Sequence, residues 1–244
     1  MKKQRLDKLV ADAGLAASRE KAQRLIRAGR VRVAGQPATK PGHLYATDVA
    51  LELEAPERFV SRGGHKLEAG LTQFRLDVRG LVCVDVGAST GGFTDCLLQN
   101  GAAQVYAVDV GKGQLDVRLR NDPRVVVMEK ENARYLRPEQ FAPPPVLAVI
   151  DVAFISLTKI LPAVTHVLPV TGRILALVKP QFEAGRKEVG KGGVVRDPAV
   201  RQRVVADVRA CAEGMLGLDW LGVCESPLRG PAGNVEYLAY CRKR

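Results

Sequence analysis

Long apolar runs are missing from this 244-residue chain. The longest candidate, Val146 to Leu168, is broken by Asp151 and Lys159. A bilayer span needs about 20 consecutive apolar residues, so none is expected, and neither is stable membrane association. Cysteines are few and odd in number: Cys83, Cys96, Cys211, Cys224 and Cys241. None forms a C-x-x-C pair. They read as reduced core residues of a cytoplasmic protein, and neither a disulfide frame nor a metal site is expected. The opening Met1-Lys2-Lys3-Gln4-Arg5 lacks the apolar stretch of a secretory signal. Internal repeats and low-complexity tracts are absent as well. Acidic residues are the scarcer charge, 26 Asp and Glu against 37 Lys and Arg, for a net charge of +11. An excess of this size points to a polyanionic partner.

Apolar residues make up 46% of the chain, enough for a real core. The length suits one medium α/β domain with a small attachment. Residues 1–62 hold thirteen Lys and Arg against seven Asp and Glu, so the positive excess is concentrated there. A short helix is expected over 5–13, stopped at Gly14. A second starts from the N-cap Ser18, places Ala22, Leu25 and Ile26 on one face, and ends at Gly29. Residues 31–35 read as a strand and turn, and 49–53 as another strand. Pro56 to Gly64 reads as a linker, which divides the chain into 1–55, 56–64 and 65–244. Beyond it, apolar runs at 82–86, 104–109, 124–128, 146–151, 173–178, 218–224 and 235–241 alternate with helix patterns at 93–100, 113–120, 156–168 and 197–216. That alternation predicts an α/β fold, a mostly parallel sheet with helices on both faces.

The run Val82 to Phe93 is a buried strand, a small-residue turn and a helix start. Gly87, Gly91 and Gly92 would let backbone approach a ligand closely, and Ser89 and Thr90 can add hydrogen bonds. Asp109 closes the next strand, where a carboxylate can accept two ribose hydroxyls. Ser89 stands where the second glycine of G-x-G-x-x-G would be, and no Walker loop follows. A pyrophosphate ligand is therefore disfavoured, and a ribose-bearing cofactor without phosphate, S-adenosylmethionine, fits better. Asn132 follows the third strand, where an adenine-reading amide or a plain turn cap is expected.

Four charged residues flank the same end of the sheet. Asp151 ends the fourth strand and Lys179 the fifth. Glu236 is expected on the last strand, facing away from Val235 and Tyr237, and Lys66 just after the linker. Two lysines and two acids beside a methyl donor suit the alkylation of a weakly acidic hydroxyl. A lysine serves as base only if burial or a like charge makes it yield its proton; Lys66 beside Lys179 would do so, with Asp151 and Glu236 orienting the pair. The glycine-rich Gly190 to Pro198 reads either as a mobile loop that closes over a ligand or as a plain surface connection.

Residues 5–53 resemble the S4 RNA-binding domain. The whole chain resembles the TlyA family, described both as ribosomal RNA 2′-O-methyltransferases and as haemolysins. The resemblance lies in Arg5-Leu6-Asp7-Lys8-Leu9-Val10, Ser61 to Leu67, Asp85 to Asp95, Asp151 to Ser156, Val178 to Glu183 and Gly192 to Pro198. The second domain also looks like the FtsJ/RrmJ type of methyltransferase, whose Lys-Asp-Lys-Glu tetrad falls on Lys66, Asp151, Lys179 and Glu236. Thr90 stands where FtsJ usually has proline, which is normal for the TlyA branch.

The resemblance implies 2′-O-methylation of a cytidine in ribosomal RNA, with ribosomal subunits as partners. It implies cofactor contacts from Asp85, Gly87, Ser89, Thr90, Gly91, Gly92, Phe93, Asp109, Val110, Asn132 and Asp151. An S4-like domain would grip RNA phosphates through Arg5, Lys21, Arg24, Arg27 and Arg30. Three rivals stand beside this reading: a membrane-active haemolysin, an RNA-binding assembly factor without turnover, and an S4-bearing pseudouridine synthase.

Overall fold

A computed structural model describes residues 3–54 and 57–244. Pro56, expected to open the linker, lies outside the described residues, as do Met1, Lys2 and Ala55. The chain forms two compact units, residues 1–58 and 59–244.

The first unit runs β1 (Lys3–Arg5), α1 (Leu6–Asp12), α2 (Arg19–Arg27), β2 (Val31–Val33), β3 (Gln36–Ala38), β4 (Leu44–Ala46) and β5 (Leu51–Leu53). β1 pairs with β4, and β3-β2-β5 form an antiparallel sheet. Ser18 caps α2 by accepting from the Lys21 amide at 3.2 Å, an interaction worth about 1 kcal/mol. Leu6, Val10, Ala22, Ile26, Val31 and Val33 share a small core. The strand and turn expected over 31–35 are both present: β2 ends at Val33, and Ala34 and Gly35 turn with φ of 48° and 78°.

The second unit runs α3 (Gly63–Gln73), β6 (Val82–Val86), α4 (Gly92–Gln99), β7 (Gln104–Asp109), α5 (Val117–Arg120), β8 (Val125–Glu129), β9 (Leu147–Ile150), α6 (Leu161–Val167), β10 (Arg173–Val178), α7 (Pro180–Glu183), α8 (Pro198–Ala210), β11 (Leu218–Glu225) and β12 (Tyr237–Lys243). The sheet order is β11-β12-β10-β9-β6-β7-β8, with β12 antiparallel to both neighbours and the strands from β10 to β8 parallel. Period-two alternation sends Val84, Val86, Ala148 and Ile150 into a core under α6 and α8. Cys83, Leu147, Val149 and Leu175 enter a second core under α3 and α4. The fold is therefore α/β with helices on both faces.

Several boundaries differ from expectation. The stretch expected as linker is already part of this unit from Phe59, which is buried against Gly64, and α3 starts at Gly63. The helix expected at 156–168 splits into a 3-10 turn, Leu157–Lys159, and α6, with Pro162 in the first turn of α6. The pattern at 197–216 becomes α8 followed by a π turn, Cys211–Met215. β12 begins one residue after Glu236, which therefore sits before the strand rather than on it. Among the described residues, no helix is long and apolar enough to cross a membrane.

Candidate active site

β6 runs beside both β7 and β9, so the strand order reverses at the middle of the sheet. Crevices form outside the carboxyl ends of strands at such a point. Two cavities lie there. One, of about 450 Å³, is lined by Gly87, Ser89, Asp109, Val110, Asn132, Arg134, Asp151 and Phe154, among others. The other, of about 330 Å³, is lined by Lys66, Gly87, Ser89, Thr90, Gly92, Phe93, Asp151, Lys179 and Glu236, among others. Gly87, Ser89 and Asp151 belong to both walls.

The loop after β6 is tight for reasons internal to the protein. Gly87 has φ +87°, its amide and that of Ala88 donate to the Val108 carbonyl, and a Cβ on it would stand 2.7 Å from the Asp151 carbonyl oxygen. Gly91 has φ +98° and lines neither cavity; a Cβ there would strike Leu119 and Leu115. Protein neighbours alone thus require glycine at both positions. Ser89, at φ +50°, donates its amide to Asp109 Oδ2 at 2.8 Å, and Gly111 donates to Asp109 Oδ1 at 2.7 Å. Each Asp109 oxygen keeps further acceptor capacity toward the larger cavity. Val110 is 74% exposed beside it, an apolar surface on that cavity's wall. Of the two roles expected of Asn132, the turn cap is present, its Oδ1 accepting from the Arg134 amide at 3.1 Å, and the residue also borders the larger cavity.

Asp85 is a correction. It lines neither cavity and is fully buried beneath the loop, where Oδ2 accepts from the Thr94 amide at 2.9 Å and hydroxyl at 2.7 Å. Burial, with the charges of Asp151 and Asp109 adding to it, pushes its carboxyl up to about 7. Its side chain supports the start of α4 from beneath the loop.

The four charged residues all reach the smaller cavity, as two ion pairs. Lys66 Nζ meets Glu236 Oε2 at 2.5 Å, and Lys179 Nζ meets Asp151 Oδ1 at 2.6 Å. Each lysine is therefore matched with one acid, where the sequence suggested a pair of lysines oriented by both. Lys179 and Asp151 follow adjacent parallel strands, so the topology alone brings them together. Lys66 comes from the first turns of α3, whose buried face also carries Leu67, Gly70 and Leu71.

Several residues here were not singled out from sequence. Phe154 has φ +63° and is 90% exposed, with its ring 5.2 Å from that of Phe182. Gln181 Nε2 lies 3.5 Å from Glu236 Oε1, and Glu183 accepts from Ser156 and Leu157. Phe154, Ser156 and all of α7 fall inside segments quoted for the family resemblance, which was the available signal. The loop expected to be mobile is pinned at its base. Val195 is buried and its amide donates to Asn234 Oδ1 at 2.9 Å, while Asn234 Nδ2 donates to the Gly193 carbonyl at 2.8 Å. Asn234 stands two residues before Glu236, so this loop is tied to the wall of the smaller cavity.

In the first unit, Lys21, Arg24 and Arg27 are exposed on α2. The other two expected phosphate contacts also serve the fold. Arg5 grips buried Asp7 at 2.9 and 3.1 Å, and Arg30 donates to the Glu54 carbonyl at 2.6 Å. The Arg5 guanidinium, helped by Gln23 and Arg19, holds the Asp7 carboxyl well below the usual carboxylate range.

Residues 59–243 match the FtsJ-like methyltransferase family, and residues 4–47 match the S4 domain. The chain is 49% identical to the 16S/23S rRNA (cytidine-2′-O)-methyltransferase TlyA of Mycobacterium tuberculosis, over 98% of this chain and 89% of the relative. It is 42% identical to Hemolysin A of Brachyspira hyodysenteriae, over 97% and 98%. A solved structure described as a putative hemolysin from Streptococcus thermophilus superposes with a TM-score of 0.76 at 46% identity, covering 100% of this chain and 89% of that one.

Proposed function

The chain belongs to the FtsJ-like methyltransferase family, and on that premise we propose that it methylates the 2′-hydroxyl of a cytidine in ribosomal RNA, using S-adenosylmethionine. Small-subunit RNA is the first substrate to test and large-subunit RNA the second. The observation that carries the reading is the shared wall. A cavity suited to a nucleoside and a cavity ringed by Lys66, Asp151, Lys179 and Glu236 meet at Gly87 and Asp151. The activity in the name of the Mycobacterium tuberculosis relative supports the same substrate.

The residues present fit the donor. A volume of about 450 Å³ lies within the range of small-molecule sites, and Asp109 offers free acceptor sites to ribose hydroxyls. Val110 and Asn132 would flank an adenine, one by apolar contact and one by an amide. The donor supplies a methyl group already activated on a positive sulfonium, so the protein is left to position and deprotonate the acceptor. Lys179 acts as base in its neutral form: its ammonium proton leaves to water along the open side of Asp151, and the amine then takes the proton of the ribose hydroxyl. Asp151 holds Lys179 in place, and Lys66 and Glu236 orient the hydroxyl. The exposed ring of Phe154 offers a face on which an unstacked base can rest. Lys21, Arg24 and Arg27, with Arg5 and Arg30 behind them, hold RNA phosphates and carry little sequence information.

Purified protein incubated with labelled donor and separate ribosomal subunits should place the label on a cytidine ribose oxygen. Label on a base, or on neither subunit, would sink the reading.

A further inference from the structure

We infer that Glu183 is a positioning residue that holds the segment Asp151–Leu157 in register with Lys179. Its catalytic part rests on the methyl-transfer reading above.

The segment after β9 needs a restraint. It carries Asp151, which walls both cavities, and has no regular structure before the turn at Leu157. It also holds Phe154 at φ +63°, a conformation that bulky side chains rarely adopt. Left to itself, such a segment would sample other conformations and carry Asp151 with it.

The restraint is α7. It begins directly after Lys179, so its position and that of Lys179 are one variable. Along its single turn, Gln181 reaches Glu236 Oε1 at 3.5 Å and Phe182 lies against Phe154. Glu183 makes the strongest bonds. Its Oε2 accepts from the Ser156 hydroxyl at 2.5 Å and its Oε1 from the Leu157 amide at 2.7 Å. Ser156 Oγ lies in turn 2.7 Å from Thr158 Oγ1.

Both Glu183 oxygens are thus committed to the segment that Asp151 starts. Glu183, Phe182 and Ser156 line neither cavity, so their influence on a substrate passes through Asp151, Lys179 and Phe154. A carboxylate costs free energy to bury, and burial raises the pKa of Glu183. An apolar side chain would fill the space at less cost but would strand the Leu157 amide and leave the Ser156 hydroxyl only its Thr158 partner.

The test compares Glu183→Ala, Glu183→Gln and Ser156→Ala in methyl transfer to ribosomal subunits and in amide hydrogen exchange over residues 152–157. A displacement of about 1 Å at a reacting group costs on the order of 100-fold, so Glu183→Ala should lose about that much kcat while KM for the donor changes far less. Glutamine keeps an acceptor for the Leu157 amide and donates to Ser156 Oγ, so Glu183→Gln should recover to within about fivefold of the parent. Ser156→Ala should fall between them and add nothing to Glu183→Ala, as two ends of one contact do. Exchange in the segment should rise by about tenfold or more in Glu183→Ala and stay near the parent in Glu183→Gln.

Parent-like kcat in Glu183→Ala, or equal damage from alanine and glutamine, would overturn the inference. Should Glu183→Ala fail to fold, an unchanged kcat in Ser156→Ala overturns it equally. If the parent protein itself transfers no methyl, the functional reading fails alone, and hydrogen exchange still decides whether Glu183 orders the segment.

Discussion

Lys66 and Glu236 meet with 6% and 1% of their side chains exposed, whereas Lys179 and Asp151 meet with 13% and 22% exposed. The two pairs have the same chemistry and nearly the same length, and they border one cavity. Their surroundings separate them. Glu236 is enclosed by Gln181 and by Gly230, where a Cβ would stand 2.5 Å from Oε1. A pair so dry repays its desolvation only while both partners stay in place, since either charge alone would be stranded. Lys66–Glu236 is therefore a fixed post. Asp151 opens to both cavities, so Lys179 can exchange a proton with a bound hydroxyl while the site keeps a charged partner and access to water. Under the proposed mechanism, the drier pair belongs to the frame and the wetter one to the chemistry.

The largest effect expected from this contrast is on turnover. Lys179→Ala should lower kcat by about a thousandfold, the usual scale of a lost general base, and cost less stability than the same change at Lys66, because Asp151 is 22% exposed where Glu236 is 1%. Donor affinity, followed by titration calorimetry, should stay near that of the parent. A variant with substantial residual transfer would break the assignment of roles.

Lys66→Ala should behave differently. It leaves Glu236 buried without its cation, a change that costs about 3–5 kcal/mol of stability. Urea unfolding of both alanine variants reads the difference directly. Equal midpoints for the two would erase the distinction between post and base.

Much of this arrangement was legible before folding. Val82–Val86, Gln104–Asp109 and Arg173–Val178 announce strands by apolar content and length, and strands alternating with helices fix a sheet whose carboxyl ends must carry Asp109, Asp151 and Lys179. Lys179 and Asp151 meet because their strands are neighbours. What stayed hidden depends on distant segments. Lys66 and Glu236 lie 170 residues apart, and no local pattern links them. β1, β3 and β4 have three residues each, too short for alternation to show. The glycines at 190–193 suggested mobility because Asn234, which pins that loop, lies about 40 residues further along. The family resemblance put Asp85 among the cofactor contacts, but the strand turns its side chain under the loop, toward Thr94.

Asp85 also gives the smallest and sharpest test of the contrast, because it lies beneath the wetter pair. Its carboxyl titrates near 7 in the folded protein, against 3.8 ordinarily, through burial first and the charges of Asp151 and Asp109 after it. Between about pH 4 and 7 the unfolded chain has released this proton while the folded chain retains it. The folded state then binds more protons, so this group's contribution to stability falls as pH rises through that window. The loss amounts to roughly 2 kcal/mol from pH 5 to pH 7. Asp85→Asn keeps an acceptor for the Thr94 amide and does not titrate. Relative to the parent, the variant should therefore gain roughly that 2 kcal/mol between pH 5 and pH 7, and show no such gain below about pH 4, where Asp85 is protonated in both states. Urea unfolding at pH 5, 6 and 7 measures the slope of each protein. Parallel slopes would mean that Asp85 carries its charge at neutrality. A third buried acid would then act on Asp151, and Lys179 would answer to two carboxylates, so exposure alone could no longer distinguish the two ion pairs.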